Sequence, residues 1–547
     1  MTSEARSPRA LMAAVAAVIA AQVVLVFKAP INWDEYLHFS QIVDLAEGRL
    51  QWGLQTLHAR LLAWVLWVPG DAIAQIQAAR LAALACSAAT TGFVVLLAAR
   101  FVDRWSAWLA GLAYIAGGYV FAHAFAVRPD PFATAALMGA LCLLAIGRLS
   151  ALRMAAAGIL IGLAGAMTIK SVFFAPCFAG VALMRAMEAP DGPWRRLAIV
   201  AIAPLVAGLV FAATVTAHGA DASGGENGAA GLSRRAAAFL ADAPLLHARY
   251  AAIQFLLTPL VTFGVVATAM VWRRLSPAER FTVVGLLAPL ATLLFYRNTF
   301  PYYFAFLYAP VCVAIAPSLA LIGGRLWRAA APLAAIAGAV VLLLAQKPIV
   351  LDGQRMLLGE INRLFGEEVA YLSHVPFAPR HERILPHFLS GPGLARYLEP
   401  SDPAIARRIE AGEVGFVLAD SPALKAALIG DAAASPLPLR DVEALSSRFI
   451  SHDGMIWIYG RVVCPAEAPV ALDIARAGPF AADGGALEID GARIEDGASV
   501  VLERGAHLAR AFGPRCVALW ALPEPPGPPG PSFRRAPVVG FFGAAGR

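Results

Sequence analysis

Two carboxylates stand side by side in Asn32-Trp33-Asp34-Glu35-Tyr36, a few residues after the first long apolar run of the chain. A carboxylate near a low-dielectric boundary is pushed toward a protonation equilibrium that suits a general base. One of the pair can therefore take a proton from an attacking nucleophile. Adjacent side chains on an extended chain point apart, so Asp34 and Glu35 are expected to do different work, one catalytic and one orienting. The bland alternative is a solvated acidic loop. A second acidic group lies in Arg128-Pro129-Asp130-Pro131. Its prolines stiffen the turn and restrict Arg128 and Asp130. Asp130 also reads as a helix-start residue, which is compatible with a chemical role.

Cations accompany these acids. Lys170 closes an apolar run, and Arg297 opens the turn Arg297-Asn298-Thr299-Phe300-Pro301-Tyr302-Tyr303. A cation at membrane depth is costly unless paired or hydrated. An anionic phosphate head group would suit Lys170, Arg128 and Arg297, with snorkelling as the competing reading for each alone. Tyr302 and Tyr303 are interface-belt aromatics or sugar contacts, and His58 is a further candidate substrate contact. His374, His381 and His387 cluster with Glu382 closely enough to be weighed as a metal site, although His58 and His38 lack ligand spacing. The chain has no Walker loop, no Cys-x-x-Cys and no dinucleotide fingerprint. The sequence requires no cofactor; a divalent metal is compatible but unsupported.

Composition says what must position these groups. Of 547 residues, 59% are hydrophobic and 15% charged, more apolar surface than one soluble core of this size buries. The net charge of +7 does not point to nucleic acid, because the basic residues sit at the ends of apolar runs and mark topology. Eleven spans are expected, at 10–27, 78–99, 105–124, 131–147, 154–170, 172–187, 197–217, 251–271, 281–296, 303–322 and 329–346. The first follows Arg6 and Arg9 like a signal peptide, but no small-residue cleavage site follows it. With the N-terminus in the cytoplasm, every inner connection carries at least two arginines, among them Arg100 with Arg104, Arg148 with Arg153, and Arg273 with Arg274. That bias orients the chain and puts residues 348–547 outside. Outer loop one, 28–77, includes an amphipathic stretch at 57–68 suited to the membrane surface. A second outer loop, 218–250, is rich in Gly, Ala and Ser.

The last 200 residues change character. Residues 368–373 and 414–419 read as buried strands of an α/β subdomain over 348–463. Leu487-Glu488-Ile489 with a turn at Asp490-Gly491, then 500–502 and 517–520, read as a small β-rich module over 464–547, ending in a Pro/Gly-rich tail at 523–531. Residues 1–347 form the membrane domain. Cys464 and Cys516 are a disulfide candidate if this region meets an oxidising compartment. The other cysteines lie in apolar runs.

An N-terminal span, a large outer loop opening with Asp-Glu, and Arg-x-Asp at the next outer turn resemble the GT-C superfamily. The layout is most similar to glycosyltransferase family 39, the protein-mannosyltransferase and aminoarabinose-transferase group. Residues 77–83, Gln-Ala-Ala-Arg-Leu-Ala-Ala, resemble the Arg-Leu segment opening its second span. Residues 164–170 resemble its Gly-rich helix ending in Thr-Lys, with Ile169 inserted, and 297–310 its late Tyr-rich turn. The resemblance covers about residues 10–346. It implies a polyprenyl-phosphate sugar donor, used with inversion on the outer face of the inner membrane, and an envelope lipid, glycan or protein as acceptor. It also implies that Asp34 is the catalytic carboxylate, Glu35 its neighbour, Asp130 the second acidic site and Lys170 a donor-phosphate contact. One departure bears on the acceptor side: His58 is followed by Ala59-Arg60 where the family often has His-Pro-Pro. The rival class is a polytopic transporter or lipid flippase. Transporters place polar groups near the midplane within paired repeats; here the acids flank spans, and no duplicated halves are visible.

Overall fold

The computed structural model describes residues 8–188, 192–222, 245–322, 325–366, 368–399 and 403–527. Residues 223–244 of the second loop and 528–531 of the tail lie outside them. The chain divides into two compact units, one of residues 1–29 and 41–346, the other of 30–40 and 347–546.

The first unit is helical. Its labelled helices are α1 (Arg9–Lys28), α2 (Trp33–Ala46, whose first turns belong to the second unit), α3 (Leu57–Leu61), α4 (Ala72–Ala98), α5 (Arg104–Ile115), α6 (Tyr119–His123), α7 (Pro129–Ala145), α8 (Ala151–Met167), α9 (Ala175–Met187), α10 (Pro193–Val200) and α11 (Ile202–Gly219). Ala248–Leu257, Pro259–Val271, Pro277–Leu287, Tyr303–Ala314, Ala316–Leu319 and Arg325–Leu344 follow. Among the described residues, α1, α4, Ile169–Met187, Pro193–Gly219 and Pro277–Leu294 are each long and apolar enough to cross a membrane. The helices α7, α8 and Tyr303–Ala314 are shorter but apolar. A helix stands at each expected span, and the chain is a multi-pass membrane protein. Leu205 and Leu209 of α11 are about 70% exposed, a face suited to hydrocarbon rather than water. The helices α8 and α11 approach closely because Gly162 has no side chain: a Cβ there would lie 2.7 Å from the Ala207 carbonyl oxygen. Small residues play this role where lipid supplies no hydrophobic drive.

Two expected spans are broken. The run 105–124 stops at Ile115, and Gly118 turns with φ +52° before α6 begins. Buried Gln254 satisfies the exposed backbone: its Oε1 accepts from the Tyr119 N–H at 2.7 Å, and its Nε2 donates to the Gly117 carbonyl at 3.1 Å. Irregular backbone at membrane depth needs such partners. The run 251–271 bends by 94° between Ala248–Leu257 and Pro259–Arg274, where Pro259 lacks an N–H to continue the ladder. The amphipathic stretch 57–68 is α3 plus the 3-10 turn Ala63–Trp67, with Leu61, Trp64 and Trp67 exposed.

Beyond residues 30–40, the second unit continues with helix Ile349–Leu364 and is mixed α/β. Strands β1 (Ala370–Leu372) and β2 (Val414–Leu418) pair in parallel, with helices Gly391–Leu398 and Ala404–Glu410 in the crossover. The other strands are β3 (Phe449–Ser451), β4 (Ile456–Val463), β5 (Val470–Ile474), β6 (Gly478–Asp483), β7 (Leu487–Ile489), β8 (Ala492–Ile494), β9 (Ser499–Leu502), β10 (Gly505–Ala511) and β11 (Val517–Trp520). One sheet runs β1-β2-β4-β11-β6-β9 with β3 on β4, and a second runs β5-β10-β7-β8. The larger sheet thus joins strands from both sides of residue 464. The β7–β8 hairpin turns through Asp490 and Gly491, both at positive φ, the mirror-image turn that matches strand twist. Cys464 and Cys516 are disulfide-bonded, just beyond the paired residues Val463 and Val517.

Candidate functional site

In the membrane unit, the turn before α7 gathers three charges. Arg128 is extended (φ −151°, ψ 160°) because Pro129 follows it at the first helical position. Asp130 lies in the first turn, and Thr134 Oγ1 donates to its carbonyl at 2.7 Å. The Arg128 Nε donates to Asp130 Oδ2 at 3.2 Å. Lys170 Nζ donates to Asp130 Oδ1. Lys170 reaches it from the 3-10 turn Ile169–Phe174, where the chain leaves α8 after Met167. The side chains of Arg128, Asp130 and Lys170 are only 8%, 3% and 8% exposed. The Arg128 guanidinium sits 3.3 Å from the Tyr302 ring centroid, and Lys170 Nζ lies 5.9 Å from it. Ring faces attract such cations most strongly when water is excluded. Two cations thus converge on one buried carboxylate.

The neighbours differ in kind. Tyr303 is fully buried, its hydroxyl 2.7 Å from Thr292 Oγ1 and its ring packed on Tyr296; its side chain is core, not an interface-belt aromatic. Arg297 is half-buried in the turn ahead of Tyr302. His58 is fully buried in α3. Beside it in sequence, Thr56 Oγ1 lies 2.9 Å from His218 Nε2 at the end of α11, and Arg60 pairs with Asp221.

The acidic motif belongs to the second unit, and it is a helix start rather than an extended strand. Asn32 Oδ1 accepts from the Glu35 N–H at 3.0 Å, and Glu35 Oε2 accepts from the Asn32 N–H at 3.2 Å. This reciprocal capping box engages the Glu35 carboxylate, which is 1% exposed. Asp34 is half-buried in the first turn of α2, where the helix dipole favours an anion. Trp33 packs against His374 and Phe388, with ring centroids 5.6 and 5.5 Å away, and Tyr36 packs against Phe377 at 4.9 Å. Behind His374, Asp420 accepts from the backbone N–H groups of His374 and Val375 at 2.7 and 2.8 Å. Burial pushes the Asp420 carboxyl up to about 7, against the pull of those donors and of Arg383. Burial first, and then Arg383, holds His374 down at about 4.

Among the described residues, no three His, Cys, Asp or Glu side chains gather as a metal site, so His374, His381, His387 and Glu382 do not form one. Sequence reasoning missed the Asn32–Glu35 cap, although Asn-x-x-Glu ahead of an apolar periodic run announces it. It also placed Gln77 and Arg80 in a family-like segment without giving either a contact. Arg80 is 1% exposed and donates to the carbonyls of Val26 and Ala29, while Gln77 donates to that of Phe27. They tie down the C-terminal end of α1.

No family model and no curated protein matches this sequence. Solved structures do match it in fold, a multi-helix membrane unit followed by an α/β and β-rich domain. ArnT from Cupriavidus metallidurans bound to undecaprenyl phosphate aligns with TM-score 0.54 and 13% identity, over 83% of this chain and 98% of that one. Its apo state aligns with TM-score 0.54 and 13% identity, over 82% and 97%. An archaeal oligosaccharyltransferase, AglB from Archaeoglobus fulgidus, aligns with TM-score 0.45 and 14% identity, over 82% and 74%.

Proposed function

We propose that this chain is an inverting glycosyltransferase. It moves a sugar from a polyprenyl-phosphate-linked donor to a lipid, glycan or protein acceptor at the outer face of the inner membrane. The observation that carries this reading is the buried Arg128–Asp130–Lys170 cluster, which sets a guanidinium and an ammonium side by side on one carboxylate, donors of the kind that bind a phosphate. An apolar groove of about 520 Å³ supports it. Ser171 and Val172, next to Lys170, line this groove together with Gly162, Gly165, Ala175 and Phe211. Such a groove suits a polyprenyl tail. The shared fold with ArnT, solved with undecaprenyl phosphate, points the same way.

In this reading Asp34 removes the acceptor's proton as its nucleophilic atom bonds to the anomeric carbon. The bond from that carbon to the phosphate oxygen breaks, and its electron pair leaves on the lipid phosphate. One displacement inverts the centre. Lys170 and Arg128, with Arg297 as a third basic candidate, stabilise the charge that develops on the phosphate. Asp130, both oxygens committed to cations, orients them rather than accepting a proton. Tyr302 backs Arg128. The N-terminus is cytoplasmic, and residues 348–547 are extracytoplasmic, as the arginine bias of the inner loops suggests.

The test uses the full chain in nanodiscs with a panel of hexosyl and pentosyl undecaprenyl phosphates, plus envelope extract as acceptor. Release of undecaprenyl phosphate is expected with one donor, along with build-up of that glycosyl lipid in a deletion strain. No release across the panel, together with solute uptake into vesicles, would replace the enzyme with a transporter.

A further inference from the structure

We infer that Gln354, on helix Ile349–Leu364, is a positioning residue for Asp34 within the second unit. This rests on the reading of Asp34 as the base. Gln354 is fully buried in helix Ile349–Leu364. Its Oε1 accepts from the Ile31 N–H at 3.0 Å, and its Nε2 donates to the Ile31 carbonyl at 2.8 Å. One side chain thus holds both backbone groups of a buried residue 323 positions away. The next residue is Asn32, the cap that starts α2, and Asp34 rides on the turn that follows. Trp33 and Tyr36 are gripped by rings of the same unit.

The choice of glutamine is informative. An apolar side chain would fill the space but leave the Ile31 peptide unsatisfied, which is costly when buried. Only a group with one donor and one acceptor at this spacing matches a peptide edge on. A helix start ties up few of its own N–H groups, so its placement depends on what holds the residues before it. A general base tolerates little misplacement. Gln354 supplies the grip from outside the local chain, and the capping box passes it to the first turn.

The test pairs Gln354→Met with Gln354→Glu in the full chain. Gln354→Met removes both bonds. Deuterium exchange of the peptide spanning 30–37 should rise, undecaprenyl phosphate affinity should hold, and turnover should fall by about 10²-fold. Gln354→Glu offers a donor and an acceptor while protonated, and only acceptors once ionised. Its turnover relative to the parent at each pH should therefore recover in acid and fall as pH rises, a profile that loss of packing alone does not give. Gln354→Met with parental turnover beside an inactive Asp34→Asn overturns the inference and spares the function. So does a pH-independent loss in Gln354→Glu. An active Asp34→Asn overturns the base assignment itself, and this inference with it.

Discussion

Asp130 and Asp34 both sit in the first turn of a helix, and different contacts fix each turn. Asp130 is gripped through its own oxygens, by cations 2 and 40 residues away. Asp34 is held through its neighbours: Ile31 by Gln354, Asn32 and Glu35 by each other, Trp33 and Tyr36 by aromatic rings. A carboxylate paired twice at 3% exposure is committed to its cations, because protonating it would strand them in low dielectric. Under the proposed function, the half-buried carboxylate on the well-held turn is the one that acts as base. On that reading the contrast separates a residue that organises charge from one that exchanges a proton.

The sharpest way to break this contrast is to neutralise each acid in turn. Asp34→Asn should lower turnover by about 10²–10⁴-fold, the span of general base catalysis, and leave melting and undecaprenyl phosphate binding intact. Asp130→Asn should destabilise the protein by about 3–5 kcal/mol, the cost of removing one partner from a buried ion cluster, while the two cations still bind lipid phosphate. Thermal unfolding and lipid titration on both variants decide the matter. If Asp130→Asn melts normally and has lost only turnover, the two roles must be exchanged.

The cations sharpen the same comparison with a smaller effect. Lys170→Met should weaken undecaprenyl phosphate binding by about tenfold or more, since a hydrogen bond to a charged group is worth about 1.5–3 kcal/mol. Affinity unchanged in Lys170→Met and Arg128→Met alike would remove the cluster from the donor site.

Much of the membrane unit was legible because an apolar run of span length has few soluble uses. The Arg-Pro-Asp-Pro turn was legible because proline dictates the backbone on both sides of it. The partners were not. Lys170 meets Asp130 only when α8 ends at Met167 and a 3-10 turn carries the lysine back. The break at Gly118 depends on Gln254, 136 positions on, reaching the loose peptide groups, and nothing local in the chain signals it. The Asn32–Glu35 cap was local and readable, but the pair was read as extended loop. Gln354 drew no reading from the sequence; only the fold shows that it faces a peptide edge.

A gentler lever in the second unit is pH. Asp420, pushed up from the ordinary 3.8 to about 7, holds its proton in the folded chain over a range where the unfolded chain has lost it. The folded state binds more protons there, so this group's contribution to stability falls as pH rises from about 4 to 7. His374 and His387, both held down near 4, work the other way: their contribution is present above 6.5 and is lost as pH falls toward 4. The two trends offset each other in the parent protein, so the measurement is a difference. The melting temperature of Asp420→Asn relative to the parent should move in the variant's favour as pH goes from 4 to 7. A flat difference would mean that the carboxyl titrates at its ordinary value.

The smallest effect belongs to the ion pair least like the buried cluster. Asp490, at the β7–β8 turn, lies 2.6 Å from His507 Nδ1 and also accepts from the Leu508 N–H at 2.8 Å. The hydrogen bond to Asp490 raises the pKa of His507 above 6.5, helped by the Glu503 carbonyl. Its stabilisation is therefore complete below 6.5 and disappears as pH rises through the shifted value. Asp490→Asn keeps a residue that tolerates the positive φ of 51° at this turn, so the hairpin should survive. Histidine C2–H exchange followed by mass spectrometry should show the His507 titration moving back toward 6.5, with no measurable change in melting, because water already screens a pair this exposed. A loss of stability comparable to that of Asp130→Asn would show that exposure is not what divides these two kinds of carboxylate.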